Sequence, residues 1–249
     1  ESESESGAPN PATPAESPAS FTKLDAISDA VMKGQPYDGD AASALLRQAD
    51  ATFSNASTPT AHRADLEWRR ARHMYRLAAV PTTSGDDSQR WSLAALDAAK
   101  QAVALNAGNG DCHKWLALTL NGVMDYVSQS QKVENAVAFK THAEKALELS
   151  PNDPLVAHML GRWSYEIANL SWSKRRLAAA LFGELPSATM DDAVRYLQLG
   201  QQVGPAGEEI GRCAQVRLDA VRIHICGGFR HGGFRGRRAM RCGLRRGGS

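Results

Sequence analysis

From Phe21 onward, apolar residues recur at helical spacing and breakers interrupt them at intervals. Phe21, Leu24, Ile27 and Val31 share one helical face, and Gly34-Gln35-Pro36 ends that helix. A second pattern then repeats. A core residue is followed four positions on by another, three further by a small residue, and five beyond that by a breaker. It fits Ala42, Leu46, Ala49 and Ser54, then Ala95, Ala99, Ala102 and Ala107. It fits again at Phe139, Ala143, Ala146 and Pro151, and at Ala193, Leu197, Gly200 and Pro205. The small residues allow a partner helix to approach closely. Candidate partners precede three of the four matches. LEWRRARHMYRLA carries Trp68, Ala71 and Tyr75, HKWLALTLNGVM carries Trp115 and Leu118, and VAHMLGRWSYEIA carries Leu160-Gly161. Local punctuation agrees: Asp153 precedes Pro154 as an N-cap before a first-position proline, and Thr189-x-x-Asp192 has the form of a capping box.

Four matches in order, with partner helices, carry the signature of the tetratricopeptide repeat. The expected fold is therefore all-α, a tetratricopeptide-like solenoid of antiparallel helix pairs over residues 21–205, with three to four irregular repeats. The period exceeds the regular spacing of about 34 residues. The excess falls between the two helices of each pair: PTTSGDDSQ in the first, around SQSQKVEN in the second, and LSWSKRRLAAALFGELPSA in the third. The last is expected to be an insertion in the third repeat, adding a short helix and an ordered loop where insertions collect to serve binding. Residues 1–20, ESESESGAPNPATPAESPAS, are expected to form a disordered lead.

Composition narrows the function. Apolar residues make up 43% and charged residues 22%, an ordinary balance for a folded domain. No run of apolar residues is long enough to span a membrane, and no signal-peptide core is visible. The chain opens on Glu1 rather than Met, which leaves room for an upstream targeting or anchoring segment. The net charge of +2 hides an asymmetry. Residues 206–249 hold ten Arg, no Lys and three acids, leaving 19 of the 29 cations and 24 of the 27 acids in the rest. From Gly227 this end is Gly/Arg-rich and cannot bury enough surface to fold alone. It reads either as a genuine basic tail or as the product of a frame change. Cys112, Cys213, Cys226 and Cys242 have no C-x-x-C spacing, and His224, Cys226, His231 and Cys242 match no common zinc finger. Gly108-Asn109-Gly110 lacks the phosphate-loop spacing, and no G-x-S-x-G or H-E-x-x-H is present. No catalytic, metal or cofactor site is expected, and no specific nucleic-acid partner.

Several stretches carry a more specific resemblance. DCHKWLAL, the run from FKTHAEKALELSPNDP through LGRWSYEIANLSWSKRRLAAALFGELPSATMDDAVRYL, and QQVGP together resemble the regulator of microtubule dynamics family. The most specific parts are His113-Lys114-Trp115, Gly161-x-Trp163, and Trp172 through Arg175-Arg176 to Leu181-Phe182 and Pro186. The resemblance covers about residues 35–205; the end after Pro205 departs from the family. It implies a tetratricopeptide-like helical domain in a non-enzymatic protein whose partners are tubulin and microtubules. It implies a cytoplasmic, cytoskeleton-associated location, at spindle poles in some members, or at the surface of mitochondria or endoplasmic reticulum given an anchor. One branch acts in membrane contact and lipid transfer, so a phospholipid-binding module is the alternative, and a generic peptide-binding adaptor a third.

The candidate partner-binding residues are Lys174, Arg175, Arg176 and Trp172. Three cations together form a patch for acidic tails or lipid phosphates. The competing reading is a solvated helix start whose arginines pair with Glu166, Glu184 or Asp191. Three cations at a helix N-terminus oppose its dipole, which calls for compensation. Trp172 reads as packing on Trp163 or Tyr165, and Trp115 as core. His113, Lys114, Asn121, Tyr126, Lys140, His142 and His158 are the candidate lining of a groove for an extended peptide or a lipid.

Overall fold

A computed structural model of the chain describes residues 18–32, 35–53, 58–80, 82–172, 175, 176, 179 and 187–202. The basic segment 206–249 and most of the serine-rich lead lie outside the described residues. Among the described residues eight complete helices follow one another: α1 (Ala19–Met32), α2 (Gly39–Phe53), α3 (Thr60–Ala79), α4 (Gly85–Leu105), α5 (Gly110–Gly122), α6 (Gln129–Leu149), α7 (Pro154–Ala168) and α8 (Met190–Gln202). No strand occurs among the described residues. The most extensive packing is within three pairs: α3 on α4, α5 on α6, and α7 on α8. Each pair then leans on the next, α2 on α3, α4 on α5 and α6 on α7. This is an all-α helix-pair solenoid.

The repeated positions are the buried ones. Ala42, Leu46 and Ala49 of α2, Ala95, Ala99 and Ala102 of α4, Phe139, Ala143 and Ala146 of α6, and Ala193 and Gly200 of α8 are all buried. The core is consequently a chain of clusters rather than one centre. One joins α1, α2 and α3 through Phe21, Leu24, Leu46, Ala49 and Leu66. Two join α3, α4 and α5, through Trp68, Ala102 and Trp115 and through Ala71, Leu96, Ala99 and Leu120. The last joins α5, α6 and α7 through Ala117, Phe139, Leu160 and Trp163.

The extra length of the first two pairs goes into helix, not loop. Only residues 80–84 link α3 to α4, and 123–128 link α5 to α6. The reason lies in two N-caps. The Ser84 side chain accepts from the Asp87 amide at 3.1 Å and starts α4 within PTTSGDDSQ. Ser128 and Gln131 form a complete capping box that starts α6 within SQSQKVEN. Each cap of this kind is worth about 1 kcal/mol. At the other end of α3, Thr83 Oγ1 donates to the Leu77 carbonyl and Ser88 Oγ to that of Ala78.

Between α7 and α8 the chain takes residues 169–189. Trp172, Arg175, Arg176 and Ala179 are helical, and much of the stretch, Lys174 included, lies outside the described residues. Leu170 and Ala188, near its two ends, pack on the same core cluster of α5, α6 and α7.

Gly161 sets the α7–α8 distance. A Cβ there would stand 2.7 Å from Leu197 Cγ and 3.1 Å from the Leu197 backbone nitrogen. Alanine in a helix gains about 1 kcal/mol over glycine, but overpacking that displaces backbone costs about 1–3 kcal/mol. Because a backbone atom is in the way, the second effect wins. Gly161→Ala is expected to lower the denaturant midpoint without changing the slope; an unchanged or raised midpoint refutes the close-approach account.

Candidate functional site

Two features stand apart from the helix-pair core, a cavity and the exposed pair Trp172 and Arg176 after α7. The cavity is built by α1, α3, α5 and the turn from α6 into α7. It encloses about 630 Å³ and is lined by Trp68, Arg72 and Arg76 of α3, Lys114 and Trp115 of α5, and Leu155 of α7. Trp68, Arg72 and Arg76 are spaced four apart, so one face of α3 presents all three.

The cavity cations are tied to acids by the scaffold. Asp25 of α1 accepts from Arg69 Nη2 at 2.7 Å and Nε at 3.1 Å, and from Arg72 Nη2 at 2.7 Å. Burial pushes the Arg72 pKa down, and Asp25 opposes that shift. The Arg69 and Arg72 guanidiniums also lie over the Trp68 ring, at 4.0 and 5.0 Å. Lys114 bridges Asp111, on its own helix, and Asp153 Oδ2 at 2.9 Å. Burial works against its ammonium, but the two carboxylates outweigh it and the Lys114 pKa is raised. Asp153 uses its other oxygen to cap α7, accepting from the Leu155 and Val156 amides at 3.0 and 3.2 Å. Lys114 therefore fastens the second helix pair to the third.

The other expected groove residues are distributed elsewhere. His113 is buried, and its Nε2 donates to the Ala107 carbonyl at 3.0 Å. A carbonyl only accepts, so the His113 Nδ1 is left as a lone pair, and His142 Nδ1 donates to it at 2.9 Å. Burial and His113 lower the His142 pKa. The Tyr126 hydroxyl meets Ser88 Oγ at 3.1 Å and ties the α5–α6 link to α4. The Asn121 carbonyl accepts from the Met124 amide at the end of α5. His158 lies on the α7 face toward Gly200 of α8, and burial and Arg162 lower its pKa. Lys140 Nζ stands 5.5 Å from the Trp163 ring centre and donates to the Ser187 carbonyl at 3.3 Å, just before α8. Of the seven, Lys114 alone lines the cavity.

The stretch after α7 divides its cations. Arg175 Nη2 donates to the Ile167 carbonyl at 2.7 Å, placing positive charge at the C-terminal end of α7. That position favours a cation. Glu166 is already paired with Arg162 at 3.1 Å. Arg176 is exposed, and its guanidinium lies 5.0 Å from the Trp172 ring centre. Trp172, expected to pack on Trp163 or Tyr165, is 71% exposed. In the α5–α7 core Trp163 stacks instead on Phe139, with ring centres 6.5 Å apart. No group of three or more metal-ligating side chains occurs among the described residues, and no described helix is long and apolar enough to cross a membrane.

The sequence profile described as "Regulator of microtubule dynamics protein 1-3" matches residues 25–211. The chain belongs to that family. Similar relatives include regulator of microtubule dynamics protein 1 of Mus musculus, 33% identical over 171 residues, covering 65% of this chain and 56% of the relative. The Homo sapiens protein of the same name is 38% identical over 138 residues, 55% of this chain and 44% of its own length. Regulator of microtubule dynamics protein 3 of Xenopus laevis is 31% identical over 147 residues, 58% of this chain and 31% of the relative. The chain thus spans about half or less of each of these relatives. In this member of the family the α7–α8 stretch and the cavity are separate features, and of the cavity lining only Lys114 is among the residues expected in a groove, Trp115 being expected as core. Trp68, Arg72 and Arg76 were missed as a surface, although their spacing was visible.

One further polar cluster holds α2 and the turn before it to α3. The Tyr37 hydroxyl meets His73 Nδ1 at 2.6 Å, and Ser43 Oγ meets His73 Nε2 at 3.0 Å. Burial, reinforced by Arg72, lowers the His73 pKa to about 4, and burial raises the Tyr37 phenol to about 12. The folded pKa of His73 lies below its ordinary value, so the unfolded chain takes up the proton first. The neutral imidazole's contribution is complete above about pH 6.5 and is lost as the pH falls toward 4, by up to about 3 kcal/mol. His73→Gln is expected to flatten the fall in melting temperature between pH 7 and 4 relative to the parent; parallel pH profiles for the two proteins refute it.

Proposed function

We propose that this protein is a non-enzymatic microtubule-associated repeat protein that docks on acidic tubulin tails through the stretch following α7. The observation that carries this reading is Arg176. It is exposed, and among the described residues no carboxylate pairs with it. Lys174 lies two positions away in sequence, outside the described residues. Exposed cations of this kind raise encounter rates with acidic partners and make binding sensitive to salt. The names of the relatives, regulators of microtubule dynamics, support the choice of partner. The proposed location is the cytoskeleton; a mitochondrial or endoplasmic reticulum surface would require an anchor.

A second reading is favoured by the cavity. Its indole and leucine walls beside Arg72 and Lys114 suit a phospholipid, with the acyl chain on Trp68, Trp115 and Leu155. Native mass spectrometry of the purified chain distinguishes it: a co-purified phospholipid that is displaced by Leu155→Trp supports it, and an empty protein counts against it.

The docking reading is tested by co-pelleting the full chain with microtubules across a salt series, with tubulin tails intact or clipped. Pelleting is expected to weaken with salt and with clipping, and Lys174→Glu with Arg176→Glu is expected to weaken it about tenfold or more at low salt. Helicity is expected to stay unchanged, the Arg176 side chain being exposed. Pelleting that ignores the double charge reversal overturns the reading.

A further inference from the structure

We infer that Trp172 and Arg176 form a stacked recognition platform for a glutamate-rich peptide, with Arg175 as the residue that positions it. The inference rests on the docking reading and refines it from charge to geometry. Trp172 and Arg176 are both helical and four apart, which places them on one face. The guanidinium lies 5.0 Å from the indole centre, within the range of a cation–π contact. A guanidinium stacked by one face keeps its in-plane N–H groups free. Those groups match both oxygens of one carboxylate, which an ammonium cannot do. The indole also limits the side chain's freedom, so less is lost when a carboxylate arrives.

The platform is held from beneath. Arg175 is turned the other way, onto the Ile167 carbonyl at 2.7 Å, and the Arg175 amide donates to the Ser171 carbonyl at 3.0 Å. Leu170, just upstream, is packed on the core. Adjacent arginines thus have opposite tasks, one fixing the stretch to α7 and one facing solvent. A large indole left 71% exposed, with a cation over it, is a surface that a partner covers. The cationic face selects an acidic occupant by charge complementarity.

A purely coulombic patch and a stacked platform answer differently to substitution. For a patch, Arg176→Lys keeps the charge and binds like the parent, and Trp172→Ala has no effect. For the platform, Arg176→Lys behaves like Arg176→Ala, each weakening binding about three- to tenfold. Trp172→Ala causes a similar loss, and the double variant Trp172→Ala with Arg176→Ala loses little more than either alone, because the two act as one unit. The probes are a polyglutamate peptide and tail-intact microtubules, measured with the full chain. Arg175→Ala is expected to weaken peptide binding and to speed tryptic cleavage after Arg176, with Arg175→Lys recovering part of both, since an ammonium can still reach a carbonyl.

An Arg176→Lys affinity nearer to the parent than to Arg176→Ala overturns the platform, as does a Trp172→Ala protein that binds like the parent. If the charge-reversed protein still pellets like the parent, the docking reading itself falls and the platform with it. Loss on charge reversal with normal binding by Arg176→Lys and Trp172→Ala removes the platform alone. Binding to vesicles of phosphatidylserine and phosphatidylcholine but not to polyglutamate also overturns it, in favour of a membrane surface.

Discussion

Everything in this fold depends on how closely two helix backbones approach at small side chains. Ala49, Ala99, Ala102, Ala143 and Ala146 are at or near zero exposure, and Gly161 and Gly200 take the same role between α7 and α8. Because the described core is divided among clusters that each join neighbouring helices, each helix pair draws stability from its neighbours. Two helices carry most of that connection. α3 contributes to the clusters through Leu66, through Ala71 and through Trp68, and α5 through Cys112, Leu116 and Ala117. These same helices wall the cavity, so its shape is a by-product of the stacking that holds the solenoid together.

The charges divide into two kinds on that scaffold. Around the cavity they are mostly internal ties: one aspartate of α1 serves two arginines of α3, and one lysine of α5 serves two aspartates. Such ties fix the relative placement of helices but leave little net charge for a visitor. After α7 the arrangement is reversed. One arginine is spent as a helix cap, and its neighbour is left in solvent over an indole. The chain therefore separates a neutralised concavity from a small cationic outpost.

The helix pairs were legible in the sequence because the repeat pattern is a packing requirement, and every core position of its first three matches is buried. The excess length was harder to place. Ser84-x-x-Asp87 and Ser128-x-x-Gln131 are helix starts by their chemistry, but the period alone drew attention to the gap and not to its caps. The cavity could not be read at all from local pattern, since its walls come from four elements far apart in sequence. Trp172 was recognisable as unusual, yet its exposure is a tertiary property that local pattern does not encode. Lys114 shows the same limit from the other side: its position beside a tryptophan was visible, but its bond to the cap of the next helix pair was not.

The two imidazoles between α5 and α6 carry a consequence for bond direction. Ala107 claims the N–H of His113, and His142 fills the remaining lone pair of that ring. Each imidazole therefore has one allowed sense in this chain, His142 donating to His113 and His113 to the backbone. The orientation of both rings at the junction of the second helix pair is thus dictated by a single backbone carbonyl in the turn before α5.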